Sequence, residues 1–518
     1  MKIIIAAPEA VPYVKTGGLA DVAGALCKEL RKMGNEVHIM LPLYRKARRT
    51  AKSLKETAVS VRVPVGDRVV DGRIFADERE NFFIACDDFF DREELYGIPE
   101  GDYEDNASRF VFFSRGVIEA CKALEFKPDI IHCNDWQTAL VPLYLKTLYG
   151  SDPFFKNTAI LLTIHNLGYQ GLFPEAEMPL TNLGWEYFTP EGIEFYGKVN
   201  FLKAGILASD ALTTVSENYS KEILMRENGF GLEGLLKTRE DDLYGVVNGI
   251  DYEEWNPSKD TYLASYYDSD KISGKASCKS DLIKSLFKGG GPETERIPLV
   301  CMVGRLSEQK GLDILFDAIH EILSFGVKLV ILGKGDERFQ EELLELQGRY
   351  KGGLSVTIGF DDSLAHRIYA GADFFLMPSR YEPCGLGQLI SLRYGAIPVA
   401  RRTGGLVDTI RDYDPLAGRG TGFLFADYTP SALLNALKRA FCVYTDKGKL
   451  RKMITEGMKE DFSWRRAAER YIEIYWKSLK EKKIRGIRRR GSDYPAPPKE
   501  RRANRPDNDN RKNRVNRG

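Results

Sequence analysis

The chain has 518 residues, 43% of them hydrophobic, which exceeds what one core usually supports and fits two or three domains around a large cleft. Eight scattered cysteines without paired short spacing argue against a zinc site or a disulfide framework and for reduced thiols in a cytoplasmic protein. The net charge is +1, yet 16 of the 75 basic residues and only 5 of the 74 acidic ones lie from Lys477 onward, which sets a tail near +11 on a body near −10.

The first apolar run, Ile3–Ala7, reads as a strand and is broken by Pro8 and Glu9. It has no basic leader or cleavage site, and no uncharged apolar run is long enough for a bilayer, so neither export nor a membrane span is expected. Lys15-Thr16-Gly17-Gly18-Leu19-Ala20-Asp21 then joins this strand to a helical pattern over Val22–Met33. Glycines remove the Cβ atoms that would keep a ligand off the backbone, a helix start offers unpaired N–H groups, and Lys15 adds positive charge. An anion such as a diphosphate is the natural guest. A tight turn whose glycines serve packing alone accounts for the same spacing. Strand-like runs at Glu36–Leu41, Val59–Val65, Phe82–Cys86, Ile130–Cys133, Ile160–Ile164, Ala211–Val215 and Tyr244–Val247 alternate with helical periodicity, the pattern of a doubly wound parallel sheet.

After Asp251–Pro257, a polar, tyrosine-rich stretch leads to a helix-like segment near Ser277–Phe287 and then to Lys288-Gly289-Gly290-Gly291-Pro292, which does not suit regular structure. The alternation restarts at Leu299–Val303, Lys328–Leu332, Ser355–Ile358, Phe374–Met377 and Ile397–Ala400, with helical patterns such as Gly311–Ser324 and Leu386–Tyr394. The economical reading is an α/β protein with two tandem Rossmann-like domains, over residues 1–250 and 251–460. In such sheets ligands gather beyond the carboxyl ends of the strands, hence in the cleft between the domains. Trp464, Tyr471, Tyr475 and Trp476 mark a helix over 461–480 that either closes the second domain or reaches back to the first. Past Ile487 no apolar period survives, and the charged, Pro- and Asn-rich end predicts a disordered basic tail over 481–518.

The second series opens with Gly304-Arg305-Leu306-Ser307-Glu308-Gln309-Lys310-Gly311 at a strand end, which sets two cations and a helix start where a diphosphate would sit. Surface salt-bridging explains Arg305 and Lys310 equally well in isolation. Pro378-Ser379-Arg380-Tyr381-Glu382-Pro383-Cys384-Gly385-Leu386 again joins a strand to a helix, where Glu382 either caps that helix or binds a hydroxyl or a cation. In the first half, the stretches around Asp135-Trp136 and His165-Asn166-Leu167-Gly168-Tyr169-Gln170-Gly171 follow strands and mix polar with aromatic side chains, as sugar recognition requires. A lone histidine in such a loop is more often structural than catalytic, though His165 falls on the same edge as Lys15. Five histidines without a close pair or adjoining carboxylates argue against metal catalysis, and no cofactor is expected.

These motifs, together with Val247-Asn248-Gly249-Ile250-Asp251, resemble bacterial glycogen synthase and plant starch synthase, in the family's order, over roughly residues 1 to 476. The resemblance implies a glycosyltransferase B-type fold and a retaining enzyme that moves glucose from ADP-glucose to the non-reducing end of an α-1,4-glucan such as glycogen, without a metal. It implies that Lys15, Arg305 and Lys310 hold the diphosphate and that Asp135, His165, Asn248 and Glu382 surround the transferred glucose, with Glu382, His165, Arg305 and Lys310 as the catalytic set. It also assigns Gly17, Gly18, Asp21, Tyr96, Cys384, Gly385 and Leu386 to the donor side. No carboxylate pair stands out as nucleophile and acid, which favours front-face transfer. Two rivals are a related transferase with another donor or acceptor, such as a sucrose-synthase-like enzyme, and a non-catalytic binding scaffold. The tail adds one partner class, a polyanion, since uncharged glucan offers it no Coulomb attraction.

Overall fold

The computed structural model describes residues 1–98, 101–287 and 296–491, with side chains up to 484. Lys288–Pro292 lies outside them, as does the tail past Gly491. Among the described residues the principal strands form two sheets. The first has nine strands in the order Leu243–Gly245, Ala211–Thr214, Ala159–Ile164, Ile130–Asn134, Lys2–Ala6, Glu36–Pro42, Phe82–Ala85, Arg68–Ala76 and Lys55–Val65. Its central strands are apolar on both faces, and Ile3, Ile4 and Ile5 are fully buried, as a parallel sheet covered by helices demands. The second sheet has six strands in the order Leu354–Ile358, Lys328–Gly333, Leu299–Val303, Phe374–Met377, Ile397–Arg401 and Phe423–Phe425, every neighbouring pair parallel.

Two expectations change. The run at Val59–Val65 does not extend the parallel sheet: it belongs to a longer strand in an antiparallel hairpin with Arg68–Ala76, which in turn pairs antiparallel with Phe82–Ala85. The hairpin partner places Val69, Asp71 and Arg73 on a face exposed to solvent, so its apolar signal is weaker than that of a strand buried on both faces. The first long helix begins at Gly18 rather than Val22 and runs to Lys32. Gly18 to Asp21 therefore form its first turn, and the loop proper is Lys15–Gly17.

The chain crosses between the halves twice, and the crossings touch: Ile250 N–H donates to the Phe462 carbonyl at 2.8 Å and Phe462 N–H to the Tyr252 hydroxyl at 2.8 Å. The helix Trp464–Gly491 then packs on the first half, against the Gly18–Lys32 helix and the Ala159–Ile164 strand. Trp464, Ala468, Tyr471, Ile474 and Tyr475 are buried members of the first core. A polar ladder fixes the seat. Tyr475 OH and His132 Nδ1 lie 2.8 Å apart, His132 Nε2 and Thr163 Oγ1 2.6 Å, and Thr163 Oγ1 and Thr213 Oγ1 2.6 Å, across three adjacent strands. The helix passes the expected boundary at 480 and reaches Gly491. Lys, Arg and Glu propagate a helix well once a packed segment has nucleated it, so the charged run after Leu479 does not end it.

Candidate active site

The sheets present their carboxyl ends to a common cleft of about 1030 Å³, lined by Lys15, Gly17, Gly18, Asp21, Tyr96, Asp135, His165, Asn248, Arg305, Lys310, Glu382, Cys384, Gly385 and Leu386. The residues assigned to the donor and catalytic sites thus all face one volume, though the two halves contribute different chemistry.

On the first half, Gly17 is the N-cap of the Gly18–Lys32 helix, with no side chain capping its N–H groups. A Cβ on Gly17 would lie 3.5 Å from the Arg305 guanidinium, and one on Gly18 3.5 Å from Leu386, both on the opposite half. The bare backbone therefore lies against the opposite half. Lys15 Nζ lies 2.8 Å from Asp21 Oδ1. Burial lowers the Lys15 pKa, but the charge and hydrogen bond of Asp21, with Glu254 and Asp362 across the cleft, more than offset it, so the ammonium persists. Burial pushes the Asp21 carboxyl up, partly countered by Lys15.

The loop is anchored by a residue the sequence reading passed over. Glu9 is 4% exposed and accepts from the backbone N–H of Thr16, from Thr16 Oγ1 at 2.6 Å and from the Tyr96 hydroxyl at 2.7 Å. It lies three residues past the end of the Lys2–Ala6 strand, and position beyond a strand's carboxyl end was the available signal. Tyr96 thereby belongs to the wall of the first half.

Asp135 ends the Ile130–Asn134 strand at φ 56°, a left-handed conformation that an aspartate holds only when its surroundings fix it. Its N–H donates to the Thr163 carbonyl at 3.0 Å, and its Oδ1 accepts from His165 N–H at 2.7 Å. Burial pushes this carboxyl up to about 7. His165 Nε2 is 2.9 Å from Asn134 Oδ1, an oxygen that can only accept, so the proton sits on Nε2. Burial depresses His165 to about 3, which leaves a neutral imidazole. Asn248 is 6% exposed and its Oδ1 has no partner among the described residues.

On the second half, Lys310 Nζ lies 2.5 Å from Glu382 Oε2, which also accepts from Ser379 Oγ at 3.0 Å. Glu382 is 4% exposed. The helix-cap role weighed for it does not hold, because the following helix, Gly387–Arg393, has Leu386 at its N-cap and no side chain capping it. The two loops are stitched by Arg380 N–H on the Gln309 carbonyl at 2.8 Å. Arg305 reaches across the cleft, its Nη1 3.0 Å from the Tyr169 hydroxyl. The arrangement can hold a diphosphate between cations from both halves and a sugar against neutral and acidic groups of the first.

The first half matches the starch synthase catalytic domain model over residues 2–238 and the second the glycosyl transferases group 1 model over residues 286–460. The chain is 47% identical to a glycogen synthase of Syntrophotalea carbinolica, over 92% of this chain and 99% of that one. It is 43% identical to a glycogen synthase of Thermotoga maritima, over 92% and 99%. The solved catalytic domain of starch synthase IV from Arabidopsis thaliana, bound to ADP and acarbose, superposes with a TM-score of 0.85 at 33% identity, over 92% of this chain and 99% of that domain. A sucrose-phosphate synthase from Thermosynechococcus elongatus shares the fold, with a TM-score of 0.58 at 16% identity, over 92% and 99%.

Proposed function

The chain belongs to the glycogen synthase and starch synthase family of glycosyltransferases, and on that premise we propose that it transfers glucose from ADP-glucose to the non-reducing end of an α-1,4-glucan, with retention of configuration. One observation carries the reading: cations from both halves, Lys15 on one side and Arg305 and Lys310 on the other, line a single cleft beside the bare Gly17–Gly18 backbone. ADP as the nucleotide is supported by the related starch synthase domain that was solved with ADP and acarbose.

In this mechanism Arg305, Lys310 and Lys15 stabilise the charge that grows on the departing diphosphate, a class of interaction worth about 3 kcal/mol per well-placed donor. Lys310 is held for this by Glu382. Both hydrogen bonds of that carboxylate fall on Oε2, which leaves Oε1 to accept from a sugar hydroxyl. On the opposite face, Asp135 and the neutral His165 border the positively polarised sugar, Asp135 by charge when ionised and His165 through its remaining ring nitrogen. The acceptor hydroxyl attacks from the side the diphosphate leaves and loses its proton to a leaving phosphate oxygen, which preserves the anomeric configuration without a protein nucleophile. Closely apposed halves exclude water, which would otherwise intercept the glucosyl group.

The test is incubation of the purified protein with labelled ADP-glucose or UDP-glucose and glycogen. Label entering the glucan from ADP-glucose, with α-linked product by NMR, is the expected result. Transfer only from UDP-glucose overturns the donor assignment, and nucleotide binding without transfer returns the scaffold reading.

A further inference from the structure

We propose that Glu222, on the first half, is a positioning residue for the transfer: it holds the backbone turn of the second half that grips Glu382. The inference rests on the reading of Glu382 as part of the transfer site.

Glu222 ends the short helix Glu217–Glu222 and is not among the residues that line the cleft. Its carboxylate crosses to the other half. Oε1 accepts from Gly404 N–H at 2.9 Å, and Oε2 from the same N–H at 3.1 Å and from Thr403 Oγ1 at 3.3 Å. Asn218 Nδ2 completes the set, 2.7 Å from Glu222 Oε1 and 3.4 Å from the Gly404 carbonyl. Both backbone polar groups of Gly404 are therefore bonded by the opposite half.

What that turn touches gives the contact its meaning. Gly404 has φ 45°, and a Cβ there would collide with the Glu382 carbonyl oxygen, so the turn lies directly on the Glu382 backbone. Gly405 N–H then donates to the Glu382 carbonyl at 3.1 Å and to the Pro383 carbonyl at 3.2 Å. A hydrogen-bonded path runs from a first-half carboxylate through the Thr403–Gly405 turn to the residue that holds Lys310. A glycine turn is soft by itself, and an anion on its N–H fixes it. Glu382 thus takes up its working place only with the first half docked.

A neighbouring contact supplies the control. Asp408 Oδ2 accepts from Ser216 Oγ at 2.7 Å and Asn218 N–H at 3.0 Å, so it also bridges the halves, but none of these bonds involves the turn or Glu382. If interface strength alone mattered, Glu222 and Asp408 would be equivalent.

The experiment compares Glu222→Ala, Glu222→Gln, Asp408→Ala and Glu382→Gln with wild type in full chain, measuring turnover, donor KM, ADP binding by calorimetry and the unfolding midpoint. Glu222→Ala is expected to lose turnover on the order of a hundredfold, as a displaced reacting group does, with ADP binding unchanged. Glu222→Gln, which keeps one acceptor oxygen for Gly404, recovers part of the loss, and Asp408→Ala stays close to wild type. Equal losses in Glu222→Ala and Asp408→Ala, or full turnover in Glu222→Ala, overturn the proposal. Should Glu222→Ala not fold, Glu222→Gln against Asp408→Asn decides by the same criterion. Wild type without transfer removes the functional reading and the inference with it, whereas active wild type with an inert Glu222 substitution removes the inference alone.

Discussion

Lys310 Nζ and Glu382 Oε2 are 2.5 Å apart in a pair whose acid is 4% exposed, and Ser379 is the only other side chain bonded to that oxygen among the described residues. Removing the lysine leaves a buried carboxylate with one hydroxyl partner. Lys310→Ala is expected to cost about 2 kcal/mol of stability, most of it regained in the Lys310→Ala/Glu382→Gln double variant. Both single variants should lose turnover by about a hundredfold or more, and Glu382→Gln should lose turnover more than glucan affinity. Denaturant unfolding and saturation kinetics on the four proteins check both halves of this statement.

Lys15 stands in contrast, since its side chain is 49% exposed and its bond to Asp21 is a surface pair worth less than about 1 kcal/mol. Lys15→Ala is therefore expected to keep the wild-type unfolding midpoint while turnover at saturating donor falls by about a hundredfold. Unchanged turnover would remove Lys15 from the diphosphate site.

Asp135 titrates at about 7 because of burial, and His165, depressed to about 3, does not titrate in the working range. The donor kcat/KM, which reports groups of the free enzyme, should rise with pH through about 7 as Asp135 ionises. Asp135→Asn is expected to flatten this limb as well as lower its height. A limb that survives in Asp135→Asn belongs to another group.

His132, fully buried in the polar ladder, is depressed by burial to about 3, below its usual 6.5. The folded state thus holds it neutral while the unfolded chain protonates it. Its share of stability is complete above pH 6.5 and is lost as pH falls from 6.5 towards 3. His132→Gln should make the unfolding free energy less acid-sensitive across that window than in wild type, as read from denaturant curves at several pH values.

Truncation after Lys483 leaves the seated part of the last helix in place, including Leu479 and Lys482, whose ammonium bonds the Thr158 carbonyl. This variant should transfer glucose at the wild-type rate and lose retention on a polyanion column at low salt. Truncation after Glu460 removes Trp464, Tyr471 and Tyr475 from the first core and should leave that half unfolded.

Much of the fold was legible because buried parallel strands are continuous apolar runs, as at Ile3–Ala7 and Leu299–Val303. The Arg68–Ala76 strand escaped because one face meets solvent, and Phe423–Phe425 because three residues carry no period. In the site, charged residues beside glycines at strand ends announced themselves. Glu9 and Glu222 did not, since each acts through a partner distant in sequence, Glu9 through Tyr96 and Glu222 through Gly404, and the stretch that holds Tyr169 pointed to a sugar rather than to Arg305. Ser379 is close to Glu382 in the chain, but a serine before an acid is too common to signal a bond. The destination of the last helix was open for the same reason, as aromatic residues at helical spacing show that a face is buried and not against what.

The seat of that helix also orders events during synthesis. The first sheet emerges from the ribosome well before Tyr471 and Tyr475, so the apolar surface they cover and the partner of His132 stay unmet until nearly the whole chain is made. The second half can close its own core sooner, because the buried residues of that core end at Met458. The amino-terminal half, first to be translated, is thus the last to be finished, and its exposed flank in the interval is the part of the nascent chain most open to chaperone capture.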